Sequence, residues 1–327
     1  MISRRLLRIK VIQTYYSHLL VNDKYDVTAA TKELNRHIFH FHHLYLFLLD
    51  LLPEIKKYAE KKYEIEVNKF IQNKGSETPY LKLAQNKVIN KFIESKAFAA
   101  YKKNYGFSWA NNQELVKDIT NAFVNSDVFK KYSEEDNNFE ADKKLITCFF
   151  NEFLKEQYPD IYPEMEEMNI YWADVTDYAL SNCAKTISQI QEKTPGEDIK
   201  IFPMYKQNED REFAIHLLQY TITNQTQLFE HIQPFISQWE FERLFKLDMI
   251  ILQLATTEFL EFPGIPILAT VDEYVEISKE YCTDKSWAFI NGVLDRISHH
   301  LCEKGMIKKL KDGCEKIQQS KPESENK

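Results

Sequence analysis

Residues 265–297, with the sequence IPILATVDEYVEISKEYCTDKSWAFINGVLDRI, predict two amphipathic helices joined by a short turn. At about 100° per residue, the second helix has an apolar, core-facing stripe. That stripe contains Ile290, Val293, Leu294, Ile297 and Leu301. A second stripe carries Lys285, Phe289 and Arg296, with Gly292 beside it. The segment therefore predicts a helical core element with one charged, aromatic side that should stay exposed.

The second stripe has a functional and a structural interpretation. A row of cation, aromatic ring and cation suits single-stranded nucleic acid, because the ring stacks on a base and the cations hold phosphates. A glycine beside the row would let the strand approach the backbone. In the structural interpretation Phe289 flanks the core, the charges are solvated and Gly292 allows two helices to pack closely. For Gly292 itself the pattern slightly favours packing, the commoner use of such a glycine.

The order of residues in this region resembles the C-terminal motif of the NusB transcription antitermination factors. The matching positions are Glu276, Ile277, Ser278, Lys279 and Ser286, followed by Phe289, Ile290, Asn291, Gly292, Val293, Leu294, Asp295, Arg296 and Ile297. Upstream, residues 248–259 are similar to an acid-led apolar helix of the family, and Ile265-Pro266 stands at its next helix start. The opening, with Arg4, Arg5 and Arg8 followed by residues 13–16, resembles the arginine-rich first helix of the family.

The resemblance covers residues 1–20 and about 208–300, and a long segment separates these two parts. We therefore divide the chain into a first helix (1–20), a helical insert (21–207), the NusB-like C-terminal helices (208–311) and a polar, disordered tail (312–327). Family members are usually about half as long as this chain, and the insert has no counterpart that we can place.

The resemblance implies a fold, a function and a set of binding residues. It implies an all-α bundle of two antiparallel helical subdomains, enlarged here by the insert. The implied function is binding of boxA-type single-stranded RNA in nascent rRNA, together with the ribosomal protein NusE, within the RNA polymerase antitermination complex. Carried over by position, the residues expected near RNA are Arg4, Arg5, Arg8, Gln13, Tyr16, Lys285, Phe289, Asn291 and Arg296.

Asp248 is expected to contact a protein partner. It opens an otherwise apolar helix, and an acid in a first helical turn is also favoured simply by the helix dipole. In the family, the acid at this position lies where the protein meets its ribosomal-protein partner. The resemblance therefore makes Asp248 a candidate for binding NusE.

Composition favours a helical, non-enzymatic protein. Seven glycines in 327 residues are few for a nucleotide-binding α/β enzyme, and no glycine-rich phosphate loop occurs. The net charge of −7 argues against general nucleic-acid binding, although the two ends of the NusB-like parts are locally basic. Five cysteines without a close pair indicate a reduced, cytoplasmic setting, and no segment is apolar enough to span a membrane. We expect no cofactor.

Two groups of residues could suggest a reactive site, the histidines between positions 37 and 43 and the acids Asp272, Glu273 and Glu276, but the acids have the spacing of a solvated helix face. His37, His40, His42 and His43 could suggest a metal, but they alternate with large apolar residues and lack accompanying cysteines or acids, so packing explains them better. No nucleophile motif appears, so catalysis is not expected. The remaining alternatives are a helical interaction scaffold without an RNA role and an RNA-binding subunit linked to rRNA modification.

Overall fold

The computed structural model describes residues 1–21, 26–69, 78–134, 138–236 and 246–307. Regular secondary structure in these ranges is entirely helical, which confirms the all-α prediction. The chain forms two compact units, one of residues 39–204 with Met1 and one of residues 2–38 and 205–327. Residues 142–172 and 210–239 share a weak pattern that a degenerate repeat or chance would explain, in which Trp239 would match Trp172. Trp239, the basic residues 308–311 and the predicted tail lie outside the described residues.

The α-helices are numbered here in chain order. They are α1 (Arg4–Val21), α2 (Val27–Leu49), α3 (Leu51–Lys69), α4 (Pro79–Ala84), α5 (Lys87–Ile93), α6 (Lys96–Tyr105), α7 (Gln113–Val124), α8 (Asp127–Glu134), α9 (Phe139–Cys148), α10 (Ile161–Met168), α11 (Thr176–Ser188), α12 (Asn208–Thr223), α13 (Gln225–Ile232), α14 (Lys246–Glu261), α15 (Ile267–Tyr281) and α16 (Ser286–Glu303). A π-helical segment, Phe149–Gln157, follows α9. No helix in the described ranges combines the length and apolarity needed to span a membrane.

The second unit is built around the central helix α14. Among the described helices, five contact α14, namely α1, α12, α13, α15 and α16, and each of the five also contacts its neighbours, so that they form a closed ring. As a result, every residue from Ile250 to Phe259 is buried. The ring brings α1, from the start of the chain, between α12 and α15. This architecture places both predicted RNA-binding helices, α1 and α16, in one unit.

The first unit has shorter helices than the sequence predicts. The sequence alone predicts one helix over residues 80–105, whereas the structure has the three helices α4, α5 and α6 in this segment. Asn86 Oδ1 accepts hydrogen bonds from the amides of Val88 and Ile89 at 3.0 Å, and Ser95 Oγ accepts one from Phe98 at 3.2 Å. These side chains cap new helix starts, which periodicity alone does not reveal. Pro53, expected as a break, lies in the first turn of α3, where proline is tolerated.

Three of the four clustered histidines, His40, His42 and His43, take part in the aromatic packing of the first unit, whereas His37 lies in the second unit with its Nε2 3.3 Å from Glu33 Oε1. His40 stacks on Tyr171 with ring centroids 4.5 Å apart, and the rings of His42 and Tyr101 meet edge to face. Burial lowers the pKa of His42 to about 4, although its Nε2 lies 2.9 Å from the carbonyl oxygen of Phe202. Within the described residues, no three His, Cys, Asp or Glu side chains are arranged to hold a metal ion.

One of the described cysteines does not fit the expectation that all the thiols are reduced. Cys148, Cys183 and Cys282 are free, whereas Cys302 is disulfide-bonded. A disulfide depends on the distance between two residues in space, which sequence spacing did not indicate.

Candidate nucleic-acid interface

Two arginines at the start of α1 form ion pairs at the edges of the ring. The Nε of Arg4 lies 3.0 Å from Asp210 Oδ1 of α12. Arg5 donates two hydrogen bonds to Glu273 of α15, at 2.9 and 3.1 Å. The side chains of Arg4 and Arg5 are 45% and 38% exposed, so both remain accessible to a ligand that competes with these carboxylates.

Arg8, one turn later, is buried and serves as a structural contact. Its guanidinium donates to both carboxylate oxygens of Glu258 at 2.9 and 2.7 Å, and the two side chains are 4% and 0% exposed. Thr270 Oγ1 donates a further hydrogen bond to Glu258 at 2.8 Å. Burial by itself would lower the pKa of Arg8, but the hydrogen bonds and charge of Glu258 raise it above the usual value. Arg8 therefore joins α1 to α14 and, through Thr270, to α15, and its position does not present it to RNA.

The second half of α1 contains the other predicted RNA residues. Gln13 is partly buried and accepts a hydrogen bond from the buried Lys10 Nζ at 3.0 Å. Tyr16 is 37% exposed. The helical wheel places Tyr15 on one stripe with Arg4 and Arg8, beside the apolar face, but Tyr15 is fully buried and donates to Gln253 of α14 at 3.1 Å. Only one narrow side of α1 is thus open to solvent.

The most open predicted element is the row at the start of α16, formed by Lys285, Phe289, Gly292 and Arg296 and called here the α16 row. Lys285, Gly292 and Arg296 are exposed, and Phe289 is partly exposed. The Nε of Arg296 donates to the carbonyl oxygen of Gly292 at 3.1 Å, which holds the guanidinium along the helix surface. The α16 row therefore presents a partly exposed aromatic ring together with two exposed cations.

Gly292 does not pack against another helix. A Cβ built at this position would meet no atom within 4 Å. The slight preference for a packing role was therefore wrong, because the helix face at Gly292 opens away from the ring. Close approach of a ligand remains the role that fits the open space.

Asn291 and Trp287 lie on another side of α16. Two residues further along an α-helix correspond to about 200°, so Asn291 points about 160° away from Phe289. Trp287 shares the side of Asn291 and is 42% exposed, with Lys279 Nζ of α15 5.5 Å from the centre of its ring. Trp287 was not among the residues predicted from the sequence, although the position of Trp287 outside the apolar stripe indicates an exposed aromatic residue.

Asp248 lines a cavity at the start of α14. The cavity has a volume of about 510 Å³ and is lined by Tyr16, Lys246, Leu247, Asp248, Tyr281, Cys282 and Thr283. Asp248 is 3% exposed, and its Oδ2 accepts a hydrogen bond from Ser286 at 3.3 Å. Its Oδ1 has no hydrogen-bond partner within the described ranges. Burial and the neighbouring Asp248 carboxylate raise the pKa of the Cys282 thiol, which stays protonated at neutral pH.

The structure therefore groups the predicted residues differently from the sequence. Tyr16, expected near RNA, shares a cavity with Asp248, expected near a protein partner. Arg4 and Arg5 lie on the α12 and α15 sides of α1, whereas the α16 row belongs to a helix that is not among the ring neighbours of α1.

The region that contains α12 to α15 and most of α16 matches a known protein family. A family model described as "NusB family" matches residues 180–299, a range that starts inside the predicted insert. Proteins named transcription antitermination protein NusB are similar over part of their length. The protein of Salinibacter ruber is 36% identical over 111 residues, covering 34% of this chain and 69% of the relative. That of Natranaerobius thermophilus is 40% identical over 81 residues, covering 25% and 58%.

The protein of Clostridium tetani is 40% identical over 92 residues, which cover 28% of this chain and 60% of the relative. No solved structure matches the chain. The segment matched by the family model contains α12 to α15, most of α16 and the residues of the α16 row. Since the segment aligned with the Salinibacter relative spans more than two thirds of that relative at 36% identity, the chain belongs to the NusB family.

Proposed function

We propose that this chain is a transcription antitermination factor that binds boxA-type single-stranded RNA of nascent rRNA together with the ribosomal protein NusE, within the RNA polymerase antitermination complex. The observation that carries the proposal is the exposed α16 row inside the family-matched region. A base can stack on Phe289 while Lys285 and Arg296 contact the flanking phosphates. The open space at Gly292 lets the strand approach the helix backbone.

The arginines of α1 contribute unequally in this proposal. Arg4 and Arg5 are partly exposed, and RNA phosphates would compete with Asp210 and Glu273 for their guanidinium groups. Arg8 acts only by holding α1 in the ring. With Lys285 and Arg296, about four cations then contact phosphate, and the logarithm of affinity should fall against the logarithm of salt concentration with a slope of about −3.

The cavity at Asp248 supports the proposal of a NusE-type partner for a separate reason. Asp248 presents a buried carboxylate oxygen without a hydrogen-bond partner in the described residues, at the wall of a cavity open to a partner side chain. A basic side chain of the partner would satisfy that oxygen. The net charge of −7 also disfavours tight RNA binding by this chain alone, and a basic partner would enlarge the phosphate-binding surface.

Fluorescence anisotropy with a labelled boxA-type RNA tests the RNA site. We expect Phe289→Ala to weaken binding by about 1–3 kcal/mol and Arg296→Ala to make the salt slope less steep by about 0.7. Arg36→Ala is the matched control, because Arg36 is an exposed arginine of the same unit that is paired with Glu33 of its own helix. Equal affinities of all three variants and the unmodified protein would show that the α16 row is not the RNA site, and absent RNA binding by the unmodified protein would instead support a helical scaffold without an RNA role.

A further inference from the structure

The outer side of α15 and α16 carries two large apolar side chains that are exposed to solvent. Leu268 at the start of α15 is 64% exposed, and Trp287 at the start of α16 is 42% exposed. Lys279 of α15 lies over the Trp287 ring, so Trp287 lies at the boundary between the two helices. Exposed side chains of this size, and tryptophan above all, are typical anchors of protein interfaces.

These anchors belong to one surface, called here the outer face. It consists of Leu268, Asp272 and Lys279 of α15 and Trp287, Asn291 and Asp295 of α16. Within each helix these residues share one side, because they are separated by four, seven, eight or eleven positions. Leu268 and Lys279 are eleven residues apart, and Lys279 lies over the Trp287 ring, so the outer face is about 16 Å long from Leu268 to the end that carries Trp287.

The charge of the outer face is negative. Asp272 and Asp295 are exposed, and Glu276 lies beside them with a side chain that is 46% exposed. Lys279 forms an ion pair with Glu276 at 2.5 Å, so its positive charge is already partly balanced. Asp284, just before α16, adds another exposed carboxylate. A ligand of this face must therefore present positive charge around its apolar contacts.

We propose that the outer face docks a basic amphipathic helix of a protein partner. Two apolar side chains of that helix, about three turns apart, would contact Leu268 and Trp287. Lysine or arginine side chains between them would pair with Asp272, Glu276 and Asp295. The proposal goes beyond the RNA and NusE sites, because it uses neither the α16 row nor the Asp248 cavity, and Asn291, which the family resemblance places near RNA, points about 160° away from Phe289.

The negative charge of the outer face argues against RNA and against a second copy of this chain as its ligand. An RNA strand would bring phosphates next to the carboxylates of the outer face, whereas the α16 row offers cations about 130° further round the same helix. A second copy of this chain would bring the same carboxylates face to face, and like charges across an interface are unfavourable. A basic protein segment is complementary in both apolar pattern and charge.

The test uses the full-length chain and a synthetic alanine-based helix with two leucines eleven positions apart and lysines between them. The control peptide has glutamate in place of each lysine. We expect titration calorimetry to detect the basic peptide only, and its binding to change tryptophan fluorescence, since Trp109 and Trp172 are buried and Trp287 is exposed. Trp287→Ala and Glu276→Lys should each weaken binding at least tenfold. Ile93→Ala, which removes another apolar side chain that is 42% exposed, should not.

Trp287→Ala should leave RNA binding unchanged, which separates this proposal from the RNA-binding function. Its melting temperature should also stay unchanged, because Trp287 is not part of the core. Equal binding of the two peptides, or full peptide binding by the Trp287→Ala protein, would overturn the proposal. Loss of RNA affinity in Trp287→Ala would overturn it as well, because the outer face would then belong to the nucleic-acid site.

Discussion

The buried pair of Arg8 and Glu258 gives a sharp prediction for stability. Arg8→Ala removes a guanidinium that makes two hydrogen bonds to a carboxylate with no solvent exposure. Thr270 would remain as a donor to Glu258, but one neutral hydrogen bond does not compensate a buried negative charge. Breaking such a pair from one side typically costs about 3–5 kcal/mol. We expect a loss of free energy of unfolding in that range.

Arg4→Ala is the matched control for this prediction. Arg4 lies one turn earlier on α1 and also pairs with an acid, Asp210, but its side chain is 45% exposed. An exposed pair contributes about 0–1 kcal/mol. The double variant Arg8→Leu with Glu258→Leu should recover much of the stability lost in Arg8→Ala, because it leaves no unpaired buried charge.

Urea denaturation followed by circular dichroism measures these differences at neutral pH. If Arg8→Ala and Arg4→Ala shift the midpoint equally, the pair does not hold α1 in the ring, and our assignment of Arg8 to structure rather than RNA binding fails. A loss of RNA affinity in a fully stable Arg8→Ala protein would refute the assignment in the same way.

Three further predictions address the open helix face, the partner cavity and the first unit. Gly292→Leu should keep the melting temperature and reduce RNA affinity in anisotropy titrations, because a side chain there meets no protein atom but would obstruct a strand; an unfolded variant would contradict this. Asp248→Lys should weaken co-elution with purified NusE in size-exclusion chromatography while RNA binding by the chain alone persists; unchanged co-elution would remove the cavity from the partner site. Burial raises the pKa of Asp50 to about 6 even though Lys102 partly opposes the shift, so the folded state binds this proton more tightly than the unfolded state. Stability should therefore rise as pH falls through about 6 towards the unfolded value near 4, and Asp50→Asn should remove this slope in thermal melts across that range.

Periodicity predicted the core-facing side of α16 correctly. Ile290, Val293, Leu294, Ile297 and Leu301 have no exposed surface. The reason is that α16 packs in the ring with one side inward, which is the situation that a simple apolar stripe describes. The exposed cations of the α16 row were predicted from the same wheel.

The apolar spacing of residues 2–20 also predicts one core-facing side of the first helix, from Ile2 to Leu20, and this prediction was only partly right. Ile2, Leu6, Ile9 and Ile12 are buried as expected, but Tyr16 and Leu20 are 37% and 54% exposed. Arg8 is buried because Glu258, 250 positions away in sequence, supplies its counter-charge. A helical wheel contains no information about such a distant partner, so charged residues on α1 looked like an outward surface.

The closed ring around α14 also bears on the synthesis of the chain. Residue 8 is made 250 positions before residue 258, its ion-pair partner. At about 5–20 residues per second, a ribosome needs about 10–50 s to add the intervening residues. None of α12, α14 and α15 has begun to form until residue 208 is made, so the apolar side of α1 cannot bury itself against them before then. The ring closes only when α1 meets helices that are made much later, so a nascent chain of this protein must keep α1 from aggregating until α12, α14 and α15 have been made.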